Sequence, residues 1–93
     1  MIKSFRDKDT EALFKREKCH RKWRAFERVA LRKLVMLHAA KVLKDLTRPP
    51  KNCLEALKGN RLGQHSIRIN DQYRVCFEWK DGDAYSVEIT DYH

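Results

Sequence analysis

The last third of the chain alternates. Ile67 and Ile69, then Tyr73, Val75, Phe77 and Trp79, then Tyr85, Val87 and Ile89 fall on every second position, in three runs separated by short polar stretches. A strand turns successive side chains to opposite faces, so each run reads as a strand with one apolar face. Asn70-Asp71 and Lys80-Asp81-Gly82 supply turn formers between the runs. Three strands joined this way make an antiparallel meander whose apolar face needs a cover, and the remaining sequence has to provide helices. The fold class is therefore α+β, with N-terminal helices packed on a twisted, mainly antiparallel sheet.

Upstream, Ile2 to Phe5 reads as a short first strand, and Asp7 or Asp9 as the cap of a helix through Glu11-Ala12-Leu13-Phe14. Lys15 to Lys22 is basic and polar and reads as a connection. From about Lys22 to Leu46 there is neither Gly nor Pro. Two apolar stripes recur there at spacings of three and four: Trp23, Phe26, Ala30, Leu34, Leu37, and Leu31, Val35, Ala39, Val42, Leu46. This predicts one long helix. One stripe covers the sheet; the other is core as well, or is left for the first helix or a partner protein. Pro49-Pro50 ends the helical region, Leu54 to Leu57 reads as a short strand, and Lys58-Gly59-Asn60-Arg61 as a basic turn. The 93 residues make a single domain over 1–93 that buries roughly 60–65% of its unfolded surface, so no deep cofactor cavity is expected.

The formal net charge is +8 and unevenly spread. Residues 15–51 hold 13 Lys/Arg against 3 Asp/Glu, a balance of +10, and residues 71–93 hold 2 against 6, a balance of −4. Such polarity favours an anionic partner on one side of the molecule, nucleic acid first and an acidic protein second, unless it only solubilises a helix face. Arg21, Lys22 and Arg24, within the basic stretch, are candidate RNA contacts. Cys19, Cys53 and Cys76 are odd in number and lack CxxC spacing, so neither a disulfide framework nor a zinc site is indicated. A reducing cytoplasm fits. Met1 to Phe5 lacks the apolar core of a secretion signal, and no run approaches the ~18 apolar residues that span a membrane. No cofactor, metal or membrane is expected.

Register sharpens the reading. Residues on one face pair with residues on the same face. The natural first hairpin pairs Ile69 with Tyr73 and Ile67 with Val75, leaving Asn70-Asp71-Gln72 as the loop. Arg68 then stands directly opposite Arg74, where like charges repel and a bound anion would relieve them. The second hairpin allows two registers: a three-residue loop puts Glu88 opposite Arg74, and a five-residue loop puts Thr90 there. The bland alternative is that Glu88 simply pairs with the arginines.

RNA can be cut by attack of its own 2′-OH on the adjacent phosphate. That reaction needs a base for the 2′-OH, an acid for the departing 5′-oxygen, and positive charge around the phosphoryl group. Arg68 and Arg74 can supply the charge through fork-like hydrogen bonds, with Lys58 and Arg61 adding to it. The chain ends Asp91-Tyr92-His93, straight after the last strand. His93 suits an acid or base near neutral pH, and Tyr92 can hydrogen-bond the phosphate or stack on a base. Asp91 and Glu55 are candidate bases or orienting groups. His65 starts the meander and is placed near the patch; His20 lies in the basic connection, and His38 reads as structural or solvated.

The run Leu57-Lys58-Gly59-Asn60-Arg61, then Ser66-Ile67-Arg68-Ile69-Asn70-Asp71-Gln72-Tyr73-Arg74-Val75-Cys76-Phe77, and the end Asp91-Tyr92-His93 resemble HigB-type toxins of bacterial toxin–antitoxin pairs, in the RelE superfamily. The opening Met1-Ile2-Lys3-Ser4-Phe5 fits too, and the likeness is nearest to the GraT-like subgroup. The resemblance implies a RelE-like microbial RNase fold and an endoribonuclease that cuts mRNA in the A site of the 70S ribosome, stopping translation and growth. It implies a HigA-type helix-turn-helix antitoxin as partner, with operator DNA reached indirectly through it. Arg68, Arg74 and Lys58 match the family's sheet arginines and lysine; Asp91, Tyr92 and His93 match its terminal active-site residues. One position departs. Better-known members carry His-Pro-Leu-Lys where this chain reads Glu55-Ala56-Leu57-Lys58, so Glu55 or His93 takes the proton-transfer role. The competing reading is a non-catalytic RNA-binding or antitoxin-binding regulatory protein of the same fold.

Overall fold

A computed structural model describes residues 1–91. The order is α1 (Lys8–Phe14), α2 (Glu27–Ala39), β1 (Glu55–Ala56), β2 (Gln64–Arg68), β3 (Arg74–Lys80) and β4 (Asp83–Thr90). Short 3₁₀ turns lie at Arg21–Phe26, Leu43–Thr47, Pro50–Asn52 and Gly59–Arg61. The four strands form one antiparallel sheet in chain order. Ile67, Val75, Phe77 and Val87 on one sheet face are fully buried, together with Ala30, Leu34 and Leu37 of α2 and Leu13 of α1.

Asp7 starts α1, its carboxylate accepting from the Thr10 amide at 2.9 Å. The buried Thr10 hydroxyl then accepts from the Ile89 amide at 3.1 Å and ties α1 to β4. The single helix expected from Lys22 to Leu46 is broken at both ends. Phe26, at φ −127°, separates the 3₁₀ turn from α2. At the other end Ala40 is extended, and the Asp45 carboxylate accepts from the amides of Lys41 at 2.9 Å and Val42 at 3.2 Å. A side chain that captures those amides offers the backbone an alternative to the helix. The second apolar stripe is split as a result: Leu46 is buried, while Val35 and Val42 are exposed.

The first hairpin has the expected register, with Ile67 across from Val75 and Arg68 across from Arg74. Asn70 builds its loop, its side-chain oxygen accepting from the amides of Gln72 and Tyr73 at 2.9 and 2.7 Å. The second hairpin turns on two residues, Asp81 and Gly82, both at positive φ, with Lys80 facing Asp83. An extra residue follows in β4. Cys76 pairs with Glu88 but Glu78 with Tyr85, and Ser86 takes up the slack at φ 52°. Beyond this bulge Arg74 faces Thr90, the second of the two registers the pattern allowed. The bulge also corrects the facing of Tyr85. Ala84, not Tyr85, joins Val87 and Ile89 in the core, because one inserted residue reverses the alternation.

The N-terminal segment runs parallel beside β4, with bridges Ile2 to Ala84 and Phe5 to Val87. Among the described residues no helix is long and apolar enough to cross a membrane.

Candidate active site

The second face of the sheet carries charge. Alternation and register collect Glu55 of β1, Ser66 and Arg68 of β2, Arg74 and Cys76 of β3, and Glu88 and Thr90 of β4. Glu55 stands across from Ser66, Ser66 from Cys76, Arg68 from Arg74, and Arg74 from Thr90.

Arg74 is the most tightly held of these cations, with its side chain 12% exposed. Its Nε donates to Ser66 Oγ at 2.7 Å and lies 3.6 Å from Glu55 Oε1. Its Nη2 donates to the Cys53 carbonyl and, at 3.4 Å, to the Ser66 carbonyl. Arg68 is more open, and its Nη2 pairs with the carboxylate of Asp71, whose side chain is fully solvated. The two residues opposite one another in register are thus balanced from outside, by Glu55 at Arg74 and by Asp71 at Arg68. An ion pair to a fully solvated carboxylate is weak and exchangeable. An incoming phosphate can displace Asp71 from Arg68.

Arg61 lies along the same face. Its Nη1 donates to Glu88 Oε2 at 3.1 Å and to Gln64 Oε1 at 3.2 Å, and Arg6 Nε stands 3.5 Å from the same Glu88 oxygen. Beneath them Cys76 is fully buried. Burial pushes its thiol up to about 11, against the pull of Arg61 and Arg74 and with the push of Glu88 and Glu55.

Lys58 is exposed immediately before the 3₁₀ turn Gly59–Arg61. Arg21, Lys22 and Arg24 are exposed on the turn Arg21–Phe26. A cavity of about 350 Å³ is lined by Lys22, His20, Trp23, Tyr73, Thr90 and Asp91, which joins the basic segment to the end of β4. Asp91 accepts from Gln72 Nε2 at 3.0 Å. Tyr92 and His93 lie outside the described residues.

His65 is not on this face. It pairs with Phe77 across the hairpin and stacks on that ring with centroids 6.1 Å apart, on the core side of β2. An odd-numbered position in this strand points away from Ser66 and Arg68, so its expected place near the arginines is corrected. Two contacts to Arg74 were missed. Ser66 was legible, since it shares the alternation of Arg68. The Cys53 carbonyl was not, because a left-handed residue after a Pro-Pro pair has no side-chain signature.

A model of the HigB-like toxin family, described as the RelE-like toxin of the type II toxin–antitoxin system HigB, matches residues 3–93. The chain belongs to the HigB-like toxin family. This HigB-like chain is 44% identical over 90 residues to Toxin HigB-1 of Vibrio cholerae serotype O1, covering 96% of itself and 95% of that protein. It is 42% identical over 40 residues to Endoribonuclease HigB of Proteus vulgaris, covering 43% and 44% of the two chains. Among solved structures the fold is shared with a YoeB/ParE toxin from Agrobacterium tumefaciens, at a TM-score of 0.56 and 15% identity over 99% of this chain and all of the other. The YoeB–YefM complex from Staphylococcus aureus contains a further neighbour, at a TM-score of 0.52 and 20% identity over 100% and 98% of the two chains.

Proposed function

We propose that this HigB-family toxin is an endoribonuclease that cuts mRNA in the ribosomal A site, in the cytoplasm, and so arrests translation. The observation that carries the reading is the facing pair Arg68 and Arg74 on the charged sheet face, with the Glu55 carboxylate 3.6 Å from Arg74. The nuclease activity named for the Proteus vulgaris relative supports it.

In this reading the scissile phosphate seats between the arginines. Arg68 exchanges Asp71 for a phosphate oxygen, and Arg74, already held by Ser66 and Cys53, opposes the charge that builds as the fifth oxygen approaches. Glu55 takes the 2′-OH proton. The 2′-oxygen forms its bond to phosphorus, the bond to the 5′-oxygen breaks, and His93 protonates the leaving oxygen. The products are a 2′,3′-cyclic phosphate and a free 5′-OH. Asp91, held by Gln72, serves as an orienting group for the substrate, and Tyr92 stacks on a base beside the cut. Lys58 contacts the flanking backbone. Arg61 is committed to Glu88 and adds its field from the side. Arg21, Lys22 and Arg24 dock on RNA phosphates, which position without reading sequence.

The partner is an antitoxin. That a YoeB toxin is found with YefM supports this, and we assign the partner here to the HigA type, reaching operator DNA through its helix-turn-helix.

The test is primer extension on programmed 70S ribosomes. Cuts should require the ribosome and fall in the A-site codon. Arg74→Ala should lower single-turnover cleavage on the order of 100- to 1,000-fold, the loss usual for a preorganised donor to transition-state charge. A wild-type rate in Glu55→Ala would move the base role to His93. Intact mRNA on ribosomes that bind the protein tightly would sink the nuclease reading in favour of a binding protein.

A further inference from the structure

Lys33 is a lysine inside the protein. It sits on α2 with 6% of its surface exposed, and its Nζ donates to Asn52 Oδ1 at 2.6 Å. Asn52 is fully buried. Its Nδ2 donates to the carbonyls of Leu46 at 3.1 Å and Arg48 at 3.2 Å, with Met36 Sδ also at 3.1 Å. Its backbone amide closes on the Pro49 carbonyl at 2.9 Å. One side chain within the bend therefore ties it to α2 and to the chain that enters the bend.

The next residue, Cys53, has φ 46° and ψ 52°, a left-handed conformation seldom adopted by residues with a side chain. Its amide donates to the Pro50 carbonyl at 3.1 Å. That conformation presents the Cys53 carbonyl to Nη2 of Arg74. A chain of contacts thus runs from α2, behind the sheet, to the guanidinium on its charged face.

An apolar side chain would fill the Lys33 position without burying a charge. Burial holds the Lys33 ammonium below the usual lysine range, and the fields of Arg32 and Arg68 add to that. The cation does something an apolar group cannot. Lysine only donates, so it fixes which atom of the Asn52 amide meets Nζ and leaves Nδ2 for the carbonyls of Leu46 and Arg48.

We propose that Lys33 and Asn52 are positioning residues for the phosphate-binding arginine: they lock the bend at residues 49–53 so that the Cys53 carbonyl pins the Arg74 guanidinium. The proposal rests on the phosphate-binding role assigned to Arg74 above. With the bend loosened, Arg74 keeps Ser66 and Glu55 at its Nε but loses the Cys53 carbonyl at Nη2, where only the longer bond to the Ser66 carbonyl is left.

Two readouts test it. The first is the ¹⁵N-resolved signal of the Arg74 Nη2 proton that donates to the Cys53 carbonyl, assigned by its disappearance in Arg74→Lys. In Lys33→Met, which keeps the bulk of the stem, solvent exchange of that proton should speed up at least ~10-fold while the melting curve stays cooperative. The second is a double-mutant cycle on single-turnover cleavage. Lys33→Met alone should slow cleavage roughly 10- to 100-fold, the effect of a misplaced reacting group. In an Arg74→Lys background it should add nothing, whereas a merely structural role would multiply the two losses. A folded Lys33→Met protein with an unchanged Arg74 signal, or multiplying losses, would overturn the proposal. If Lys33→Met does not fold, Asn52→Asp takes its place in both experiments with the same expectations, since it keeps the acceptor for Lys33 and removes the two donors to the bend. If the wild-type protein cuts no RNA, the exchange measurement still decides whether the bend holds Arg74.

Discussion

Cys53 and Cys76 lie on either side of Arg74, and burial separates their chemistry. Cys53 offers its carbonyl to the guanidinium and leaves its side chain at the surface. Cys76 points into the charged face, fully buried, with its thiol raised to about 11. Only the thiolate reacts with an alkylating agent, so at about pH 8 the folded protein should take up iodoacetamide at Cys53 and not at Cys76. Peptide mapping by mass spectrometry before and after denaturation checks this, and early labelling of Cys76 would show that the charged face opens. The same residues mark how far the site was legible in the sequence. Arg68 and Arg74 were placed opposite one another because strand alternation and a short loop leave a single sensible register. Ser66 lay within reach of the same argument. The carbonyl of Cys53, the Lys33–Asn52 pair and the ion pair of Arg61 with Glu88 depend on chain segments brought together from afar, and no local pattern carries them.

At the scale of elements, the meander was readable and the long helix was not. Hydrophobic periodicity persists from Trp23 to Leu46, yet the helix proper is Glu27–Ala39. The competing term is a short-range polar one. Asp45 reaches back to the amides of Lys41 and Val42 and starts the turn Leu43–Thr47 in a new direction. Those bonds, the Lys41 amide first, hold the Asp45 carboxyl below its ordinary 3.8. The ionised form is favoured by folding, so its contribution to stability is complete above pH 3.8 and is lost as the pH falls through the lower folded-state value. Asp45→Ala should therefore melt below wild type at neutral pH, and the gap should close in acid. Thermal melts of both proteins across the acid range measure it. A gap that persists unchanged to low pH would mean that the loss comes from helix propensity and not from the captured amides. A similar competition hid the bulge at Ser86: the alternation of Tyr85, Val87 and Ile89 is genuine in sequence, but one left-handed residue redirects Tyr85.

Across the whole molecule, the charge of +8 includes two groups of cations with different surroundings. On the sheet face each cation is set beside a carboxylate: Arg74 by Glu55, Arg68 by Asp71, Arg61 and Arg6 by Glu88. On the turn Arg21–Phe26 the basic residues Arg21, Lys22 and Arg24 stand in solvent, and Lys22 lines the cavity that ends at Asp91. The first set is suited to a single phosphate held in defined geometry, the second to long-range attraction and loose docking. The two differ in their response to salt, because counterions compete with exposed contacts far more than with paired, half-buried ones. Each phosphate contact contributes about 0.7–0.9 to the slope of log affinity against log salt, so three contacts make roughly −2 to −3, or about a 20- to 40-fold loss of affinity between about 50 and 200 mM. Replacing Arg21, Lys22 and Arg24 together by Gln should flatten the slope for 70S ribosome binding by that amount at fixed magnesium, while the cleavage step on saturated ribosomes keeps its rate. An unchanged slope would move the docking surface elsewhere on the basic 15–51 segment; a collapsed cleavage rate at saturation would place these residues in the chemistry and not in the approach to it.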